Sequence, residues 1–336
     1  MVCADTPLFS VIIPTRNRSA VFAAALHSVL EQRFRTFEVI VVDDGSAAEH
    51  QPRYRELIEA ARGIARIITL QPAARGHGPS FVRNCGAAEA TGDYLCFLDD
   101  DDQWSDPDHL SRVAGVVAAS AEPVDLILAD QQAFLDGTPV AGPVWIEDLK
   151  ERLNQAPDRA GAYAVTSVDL LACPAHCHLN TTVMRRSFYR ELGGFDERLR
   201  YEEDRDLYLR ALDRATSIKY FPVTVSRHNI PHAGATNLST SESELAKRLD
   251  QLRVFDKAVL LSAQPELRRY AMRQRAYMLQ YIAAEAARLG SADSARYYAM
   301  QALTARLSGS MKTVGTLAGA ARRFLGSPQL GQIAGL

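Results

Sequence analysis

"YLCFLDDDDQW", residues 94–104, sets a short apolar run directly against four consecutive aspartates. A run that is apolar on both faces reads as a buried parallel strand, so the aspartates stand at its carboxyl end. Four adjacent carboxylates repel one another, and the cluster is costly unless something positive lies within it. One reading is a solvated turn capping a helix that starts near Pro107. The other is a divalent-ion site. Hard cations take oxygen ligands, and Mg²⁺ or Mn²⁺ held by one or two carboxylates completes its shell with water and substrate phosphates.

The same strand-then-polar pattern recurs upstream. "LFSVIIP" (8–14) and "FEVIVVDDGS" (37–46) are short β-branched runs that end in turn-forming or acidic residues. Between them, "RSAVFAAALHSVLEQ" (18–32) has helical spacing, with Val21, Ala24, Ala25, Ser28 and Val29 on one face. A helix over 51–62, a strand "ARIITL" (65–70) and a helix "PSFVRNCGAAEAT" (79–91) complete the alternation. Strand–helix alternation predicts an α/β fold with a parallel, doubly wound sheet. Ligands bind beyond the carboxyl ends of such strands, so Thr15–Arg16, Asp43–Asp44 and Asp99–Asp102 should converge on one crevice.

Downstream the pattern loosens. "VDLILAD" (124–130) reads as a strand, and a polar segment containing Gly and Pro follows to about 165. "LNTTVMRRSFYRELGGFDERL" (179–199) reads as strand, short helix and Gly-Gly turn. "EEDRDLYLRALDR" (202–214) is a helix and "IKYFPVTVSRH" (218–228) a closing strand. Beyond 240 nothing resembles a strand. "QRAYMLQYIAAEAARLGSADSARYYAMQALTARL" (274–307) reads as a helical hairpin with alanines at close-packing positions, like one tetratricopeptide unit that caps the main domain. The expected division is therefore a catalytic domain over 1–240 and a helical region over 241–336.

Charge supports that division. The net −2 conceals 14 Lys+Arg against 7 Asp+Glu in 241–336, a charge of +7, and therefore −9 over 1–240. The five cysteines are scattered, unlike a disulfide framework. No signal peptide is legible, and no apolar run reaches the ~18 residues of a membrane span. A cytoplasmic protein is expected. The basic stretch "MKTVGTLAGAARRFLGS" (311–327) marks the C-terminal helices as a candidate contact with a second copy or with an anionic membrane face. No nucleic-acid partner is expected.

Asp204 sits in the first turn of its helix, where the helix dipole helps to keep a carboxylate ionised, as a general base requires. "SRHNIPH" (226–232) offers two imidazoles as candidate metal ligands. "CPAHCH" (173–178) has two Cys and two His, but its spacing fits no common closed zinc site, and shaping one side of the cleft is the better reading.

Together, "FSVIIPTRNR", "FEVIVVDDGS", "VRNCGAAEATGDYLCFLDDDD" and "GGFDERLRYEEDRDLYLRAL" resemble, in order and spacing, the inverting family 2 glycosyltransferases of GT-A fold. The resemblance covers roughly residues 8 to 230. It implies that Pro14, Thr15 and Arg16 line the nucleotide site and that Asp44 binds the base. Arg83 is similar to the arginine that approaches the diphosphate. "LDDDD" is similar to the family's D-x-D, with Asp99 facing the ribose and Asp101 on the metal. Asp100 and Asp102 stay open, because an all-aspartate run leaves the frame ambiguous. Asp204 matches the catalytic base in the family's acidic pair. His228 lies where a further metal ligand is often placed, with His232 as the substitute.

The resemblance also implies a nucleotide-diphosphate sugar donor, a UDP-sugar favoured, and a divalent ion, Mn²⁺ or Mg²⁺. A saccharide or lipid-linked acceptor would complete a pathway of polysaccharide or glycoconjugate synthesis. Two rivals remain. A nucleotidyltransferase should open with a glycine-rich phosphate loop, and "PTRNRS" contains no glycine. An inactive scaffold subunit would normally lack the D-x-D or the Glu-Asp pair, and both are intact.

Overall fold

The structure is a computed structural model that describes residues 7–230 and 243–310. Four parallel strands form its first half: β1 (Phe9–Thr15), β2 (Phe37–Asp43), β3 (Ala65–Thr69) and β4 (Tyr94–Phe97). Both faces are covered, which is why β1 and β2 read as largely apolar runs, broken by Ser10 and Glu38, whose side chains bond to each other at 2.7 Å. Phe9, Val11 and Ile13 point to one face. There they join Phe22, Leu26 and Val29 of α1 (Ser19–Leu30), Tyr54 of α2 (Gln51–Ala60) and Leu110, Val113 and Val116 of the later α4 (His109–Ala119). Ile12 points the other way, towards Gly86 of α3 (Pro79–Ala88). A Cβ there would lie 2.6 Å from the Ile12 side chain, so α3 sits directly on the strand.

The second half departs from simple winding. After β5 (Gln103–Trp104) and α4 come β6 (Leu126–Leu135), β7 (Thr138–Pro139), the short helices α5 (Leu149–Arg152) and α6 (Ser167–Leu171) with β8 (Tyr163–Ala164) between them, and β9 (Thr182–Arg185). Then follow α7 (Arg186–Leu192), α8 (Glu203–Arg214) and β10 (Ile218–Ile230). Among the described residues the sheet order is β3-β2-β1-β4-β9-β6-β10-β5. β9 is antiparallel to both its neighbours, whereas β6 and β10 are parallel. The sheet is thus α/β and mostly parallel, as the alternation predicts, with β9 joining its halves. The strand expected over 124–130 continues to Leu135, and the polar segment after it contributes β7 and β8 to the sheet's margins. β10 carries Pro222, which lacks a backbone donor, and its register with β6 shifts there.

The chain divides into two units, Met1–Asn237 and Leu238–Leu336. In the second, α9 (Glu244–Leu261), α10 (Pro265–Arg288) and α11 (Ala292–Ser310) pack in sequence. Ser243 caps α9 through the Ala246 amide, and Gly290, at φ +77°, turns the chain from α10 into α11. Ala271, Ala276, Ala286, Ala295 and Ala302 are buried, so small side chains let the helices approach closely. No described helix is long and apolar enough to cross a membrane. His232 and the basic stretch 311–327 lie outside the described residues.

Candidate active site

Three strand ends meet, as the parallel winding requires. β1 places Pro14 opposite Val42 and Thr15 opposite Asp43. The chain then turns through Asn17 at φ +55°, a conformation asparagine tolerates well. Asn17 is fixed by Ser46 Oγ, which accepts from its amide at 2.8 Å, and by its own Oδ1, which accepts from the Ala47 amide at 2.8 Å. Asp43 is committed to its own loop, accepting from Ser46 and from Gln51 Nε2. Asp44 faces the 73–78 loop. It accepts from the His77 amide at 2.8 Å, from His77 Nδ1 at 2.7 Å and from the Gly78 amide. Arg16 holds that loop by donating to Ala73 O at 2.9 Å. Gly76 must be glycine here. Its φ is +65°, and a Cβ would fall 2.3 Å from Asp44 Oδ2 and 2.7 Å from Arg16 Nη1.

Each of the four aspartates has its own partners. Asp99 accepts from Arg83 Nη2 at 2.6 Å, and its amide donates to Asn180 Oδ1. Asp100 accepts from Thr15 Oγ1 at 2.7 Å and from Arg18 Nη1 at 2.9 Å. Burial nevertheless pushes the Asp100 carboxyl up to about 7, because Arg18 only partly offsets the cost of desolvation and Asp101 adds repulsion. Asp101, the most exposed of the run, accepts from the same Arg18 Nη1 at 2.8 Å. Asp102 is buried and accepts three times: from Asn180 Nδ2 at 2.6 Å, His228 Nδ1 at 2.7 Å and the Asn229 amide at 2.7 Å. The chain's own cations and donors therefore neutralise the run.

Arg83 ties Asp99 to α8. Its Nη2 holds Asp99 and its Nη1 holds Glu203 Oε1 at 2.7 Å, with the guanidinium carbon 5.6 Å from the Phe195 ring centre. Its Nε is buried without a partner, and the side chain is only 7% exposed. The arginine expected at a diphosphate thus bridges two carboxylates through its Nη atoms, with Nε left over. α8 begins after Glu202, whose φ of +64° is unusual for a non-glycine residue and is the kind of strain found at functional sites. Asp204 Oδ1 accepts from the Arg205 amide at 2.7 Å, and Oδ2 accepts from His176 Nε2 at 3.0 Å. Because Arg205 Nε donates to His176 Nδ1 at 3.3 Å, the imidazole proton sits on Nε2. Burial pushes the Asp204 carboxyl up, but the hydrogen bond from His176 and the nearby Arg205 charge outweigh it and hold the group well below the usual carboxylate range. Burial and the Asp204 charge push Glu203 upward. The pair is thus split into an ionised and a more protonated carboxyl.

Asp102, His178 and His228 form a group able to hold a metal, with ligand atoms within 4.8 Å of one another. The Trp145 ring stands edge-on to both imidazoles, at 5.7 Å from His178 and 5.3 Å from His228. His228 spends Nδ1 on Asp102, which leaves Nε2 as its ligand atom and makes Asp102 an orienting carboxylate. Burial lowers His178 to about 4, so this imidazole is neutral at neutral pH, and its Nδ1 accepts from the Asn180 amide at 3.3 Å. Oxygen and nitrogen donors together suit Mn²⁺ better than Mg²⁺. The residues fit a divalent ion, with His228 and the half-exposed Asp101 as first candidates. Asp101 stands outside the three-residue group, because its carboxylate pairs with Arg18.

Sequence reasoning named Thr15, Arg16, Asp44, Arg83, the four aspartates, Asp204 and His228, and the fold brings all of these to one end of the sheet. It missed Arg18, Trp145, His176, His178 and Asn180 as partners in this site. "CPAHCH" did mark the segment that supplies two of them.

Comparison with known proteins gives consistent findings. The model of "Glycosyl transferase family 2" matches residues 10–172. The amylovoran biosynthesis glycosyltransferase AmsB of Erwinia amylovora is 30% identical over 206 residues, covering 60% of this chain and 63% of that protein. A PGL/p-HBAD biosynthesis glycosyltransferase of Mycobacterium bovis is 29% identical over 245 residues, 72% of this chain and 84% of its own. Among solved structures, Staphylococcus aureus TarS 1-349 in complex with UDP-GlcNAc superposes with a TM-score of 0.62 at 19% identity, over 88% of this chain and 81% of that one. The mannosyltransferase PcManGT of Pyrobaculum calidifontis, with GDP-Man and Mn²⁺, gives 0.56 at 18% identity over 98% and 84%.

Proposed function

The chain belongs to glycosyl transferase family 2, and from that premise we propose that it is an inverting, metal-dependent transferase. It moves a sugar from a nucleotide diphosphate to an acceptor hydroxyl in polysaccharide or glycoconjugate synthesis. The observation that carries this reading is Arg83. One buried guanidinium joins Asp99 of the D-x-D run to Glu203, next to the candidate base, so donor and acceptor groups share one rigid site.

The protein's part in the reaction follows from the geometry. Asp204 is ionised and keeps lone pairs beyond those given to His176 and the Arg205 amide, so it can accept the proton of an acceptor hydroxyl. The hydroxyl oxygen bonds to the anomeric carbon as the bond to the diphosphate oxygen breaks on the opposite face, which inverts the configuration. When bound, a divalent ion at Asp101 and His228 would supply Lewis-acid stabilisation of the leaving diphosphate. Asp44 and the 73–78 loop would receive the base, which the loop's closure by Arg16 supports. A UDP-sugar is the first donor to test, since the TarS neighbour is described with UDP-GlcNAc, and a GDP-sugar is the second. The chain spans 63% of the length of the Erwinia amylovora protein that it matches.

A thermal-shift screen of UDP-, GDP- and dTDP-sugars with Mn²⁺ tests the proposal. One nucleotide should raise the melting temperature, and chelator should abolish the shift. If no nucleotide sugar stabilises the protein with or without metal, the reading fails.

A further inference from the structure

The unused feature of the site is Arg18. The sequence places it three residues beyond Thr15, and the Asn17 turn brings its guanidinium among the aspartates. Its Nη1 lies 2.9 Å from Asp100 and 2.8 Å from Asp101, and its own amide donates to the Tyr54 hydroxyl at 3.1 Å. The two carboxylates are held differently. Asp100 is 7% exposed and is fixed independently by Thr15, whose hydroxyl also meets Tyr54 at 3.0 Å. The Asp101 side chain is 31% exposed, and among the described residues Arg18 is the side chain that pairs with its carboxylate. Arg83 cannot change partners, because it is buried between two carboxylates. Arg18, 27% exposed, can.

We propose that Arg18 couples metal and donor binding: it neutralises Asp101 in the metal-free protein, and a divalent ion displaces it to serve the donor's diphosphate. The inference rests on the function proposed above and adds a role for a residue outside the D-x-D and Glu-Asp motifs. A cation that joins Asp101 while the guanidinium remains there meets a second positive charge on the same carboxylate, and that repulsion favours displacement of Arg18. The displaced guanidinium still has Asp100, so it stays in the cleft. There it presents a planar pair of donors that matches phosphate oxygens. Metal alone should therefore bind weakly, and the diphosphate should strengthen metal binding by taking up the freed charge.

Mn²⁺ binding, followed by electron paramagnetic resonance of the full chain with and without UDP or GDP, tests this directly. Arg18→Met should bind Mn²⁺ alone about tenfold more tightly, the worth of one unit charge ~6 Å from a divalent ion in a water-like dielectric. The same variant should lose most of the strengthening that the nucleoside diphosphate confers on the wild type. Arg18→Lys keeps the charge and should bind Mn²⁺ alone like the wild type. If Arg18→Met does not fold, Arg18→Gln, which can still hydrogen-bond Asp100, is read in its place with the same expectation. Equal or weaker Mn²⁺ binding in the neutral variant, with the wild type binding normally, overturns the role of Arg18 alone. Failure of the wild type to bind Mn²⁺ under any condition overturns this proposal and the metal dependence together.

Discussion

Replacing Arg83 by methionine tests whether the strut between Asp99 and Glu203 is a net stabiliser. The substitution removes two short charged hydrogen bonds, at 2.6 Å to Asp99 and 2.7 Å to Glu203, from side chains exposed by 26% and 12%. Breaking a buried pair by deleting one partner costs about 3–5 kcal/mol, because the remaining charges are left unpaired. Methionine recovers part of this against Phe195. Protonation of Glu203 recovers more, and that part depends on pH. Burial and Asp204 already raise this carboxyl, and losing Arg83 raises it further. A carboxyl whose folded value exceeds its unfolded value binds protons preferentially in the native state, so the variant's stability falls as pH rises between the two. The expected loss is about 2 kcal/mol at pH 6 and about 4 kcal/mol at pH 8. Urea unfolding of metal-free protein at both values measures it. A loss under about 1 kcal/mol at pH 8, or one independent of pH, would refute the reasoning.

Other outcomes follow from the same contacts. Asp204→Asn should lower turnover by about 10²–10⁴-fold with donor affinity within about twofold of wild type, read from initial rates and donor titration. Near-normal turnover would move the base to Glu203, since Asp206 is buried in an ion pair with Arg210. Asp102→Asn puts an amide donor among three donors, so urea unfolding should show about 2–4 kcal/mol less stability, and calorimetry should show Mn²⁺ binding weakened at least about tenfold. Unchanged Mn²⁺ affinity would show that Asp102 does not orient the metal ligand. In the wild type, burial pushes Asp130, which accepts from the Tyr220 hydroxyl, up to about 7. The wild type should therefore lose roughly 2–4 kcal/mol relative to Asp130→Asn between pH 4 and pH 8, and parallel stability curves would contradict this.

The fold was legible where burial leaves a pattern in the chain. β1, β2 and β4 are apolar on both faces, and α8 shows helical spacing, so local sequence identifies them. The placement of β9 was not legible, because "TVMR" says nothing about which strands flank it. The candidate site divides in the same way. Thr15, Asp44 and the aspartates end strands, and winding alone brings them together. Their partners are remote: Asn180 reaches Asp102 across 78 positions and His228 across 126. Arg18 lies only three positions beyond Thr15, yet nothing local distinguishes it from a solvated arginine. The run of four aspartates hid a division of labour, since identical residues differ there only in what surrounds them.

The position of β9 bears on how the protein matures on the ribosome. Domains fold as the chain emerges, amino-terminal parts first. β1 to β4 can pair as soon as residue 97 is out, and Arg18 and Arg83 are already present to quench Asp99, Asp100 and Asp101. Asp102 has no such early partner. It waits for Asn180 and then His228, while β4 keeps an open edge until β9 arrives. A nascent chain stalled near residue 165 would hold a quenched half-sheet with one unpaired edge and one orphan carboxylate. The group proposed to hold a metal, Asp102, His178 and His228, is then complete only once β10 has emerged.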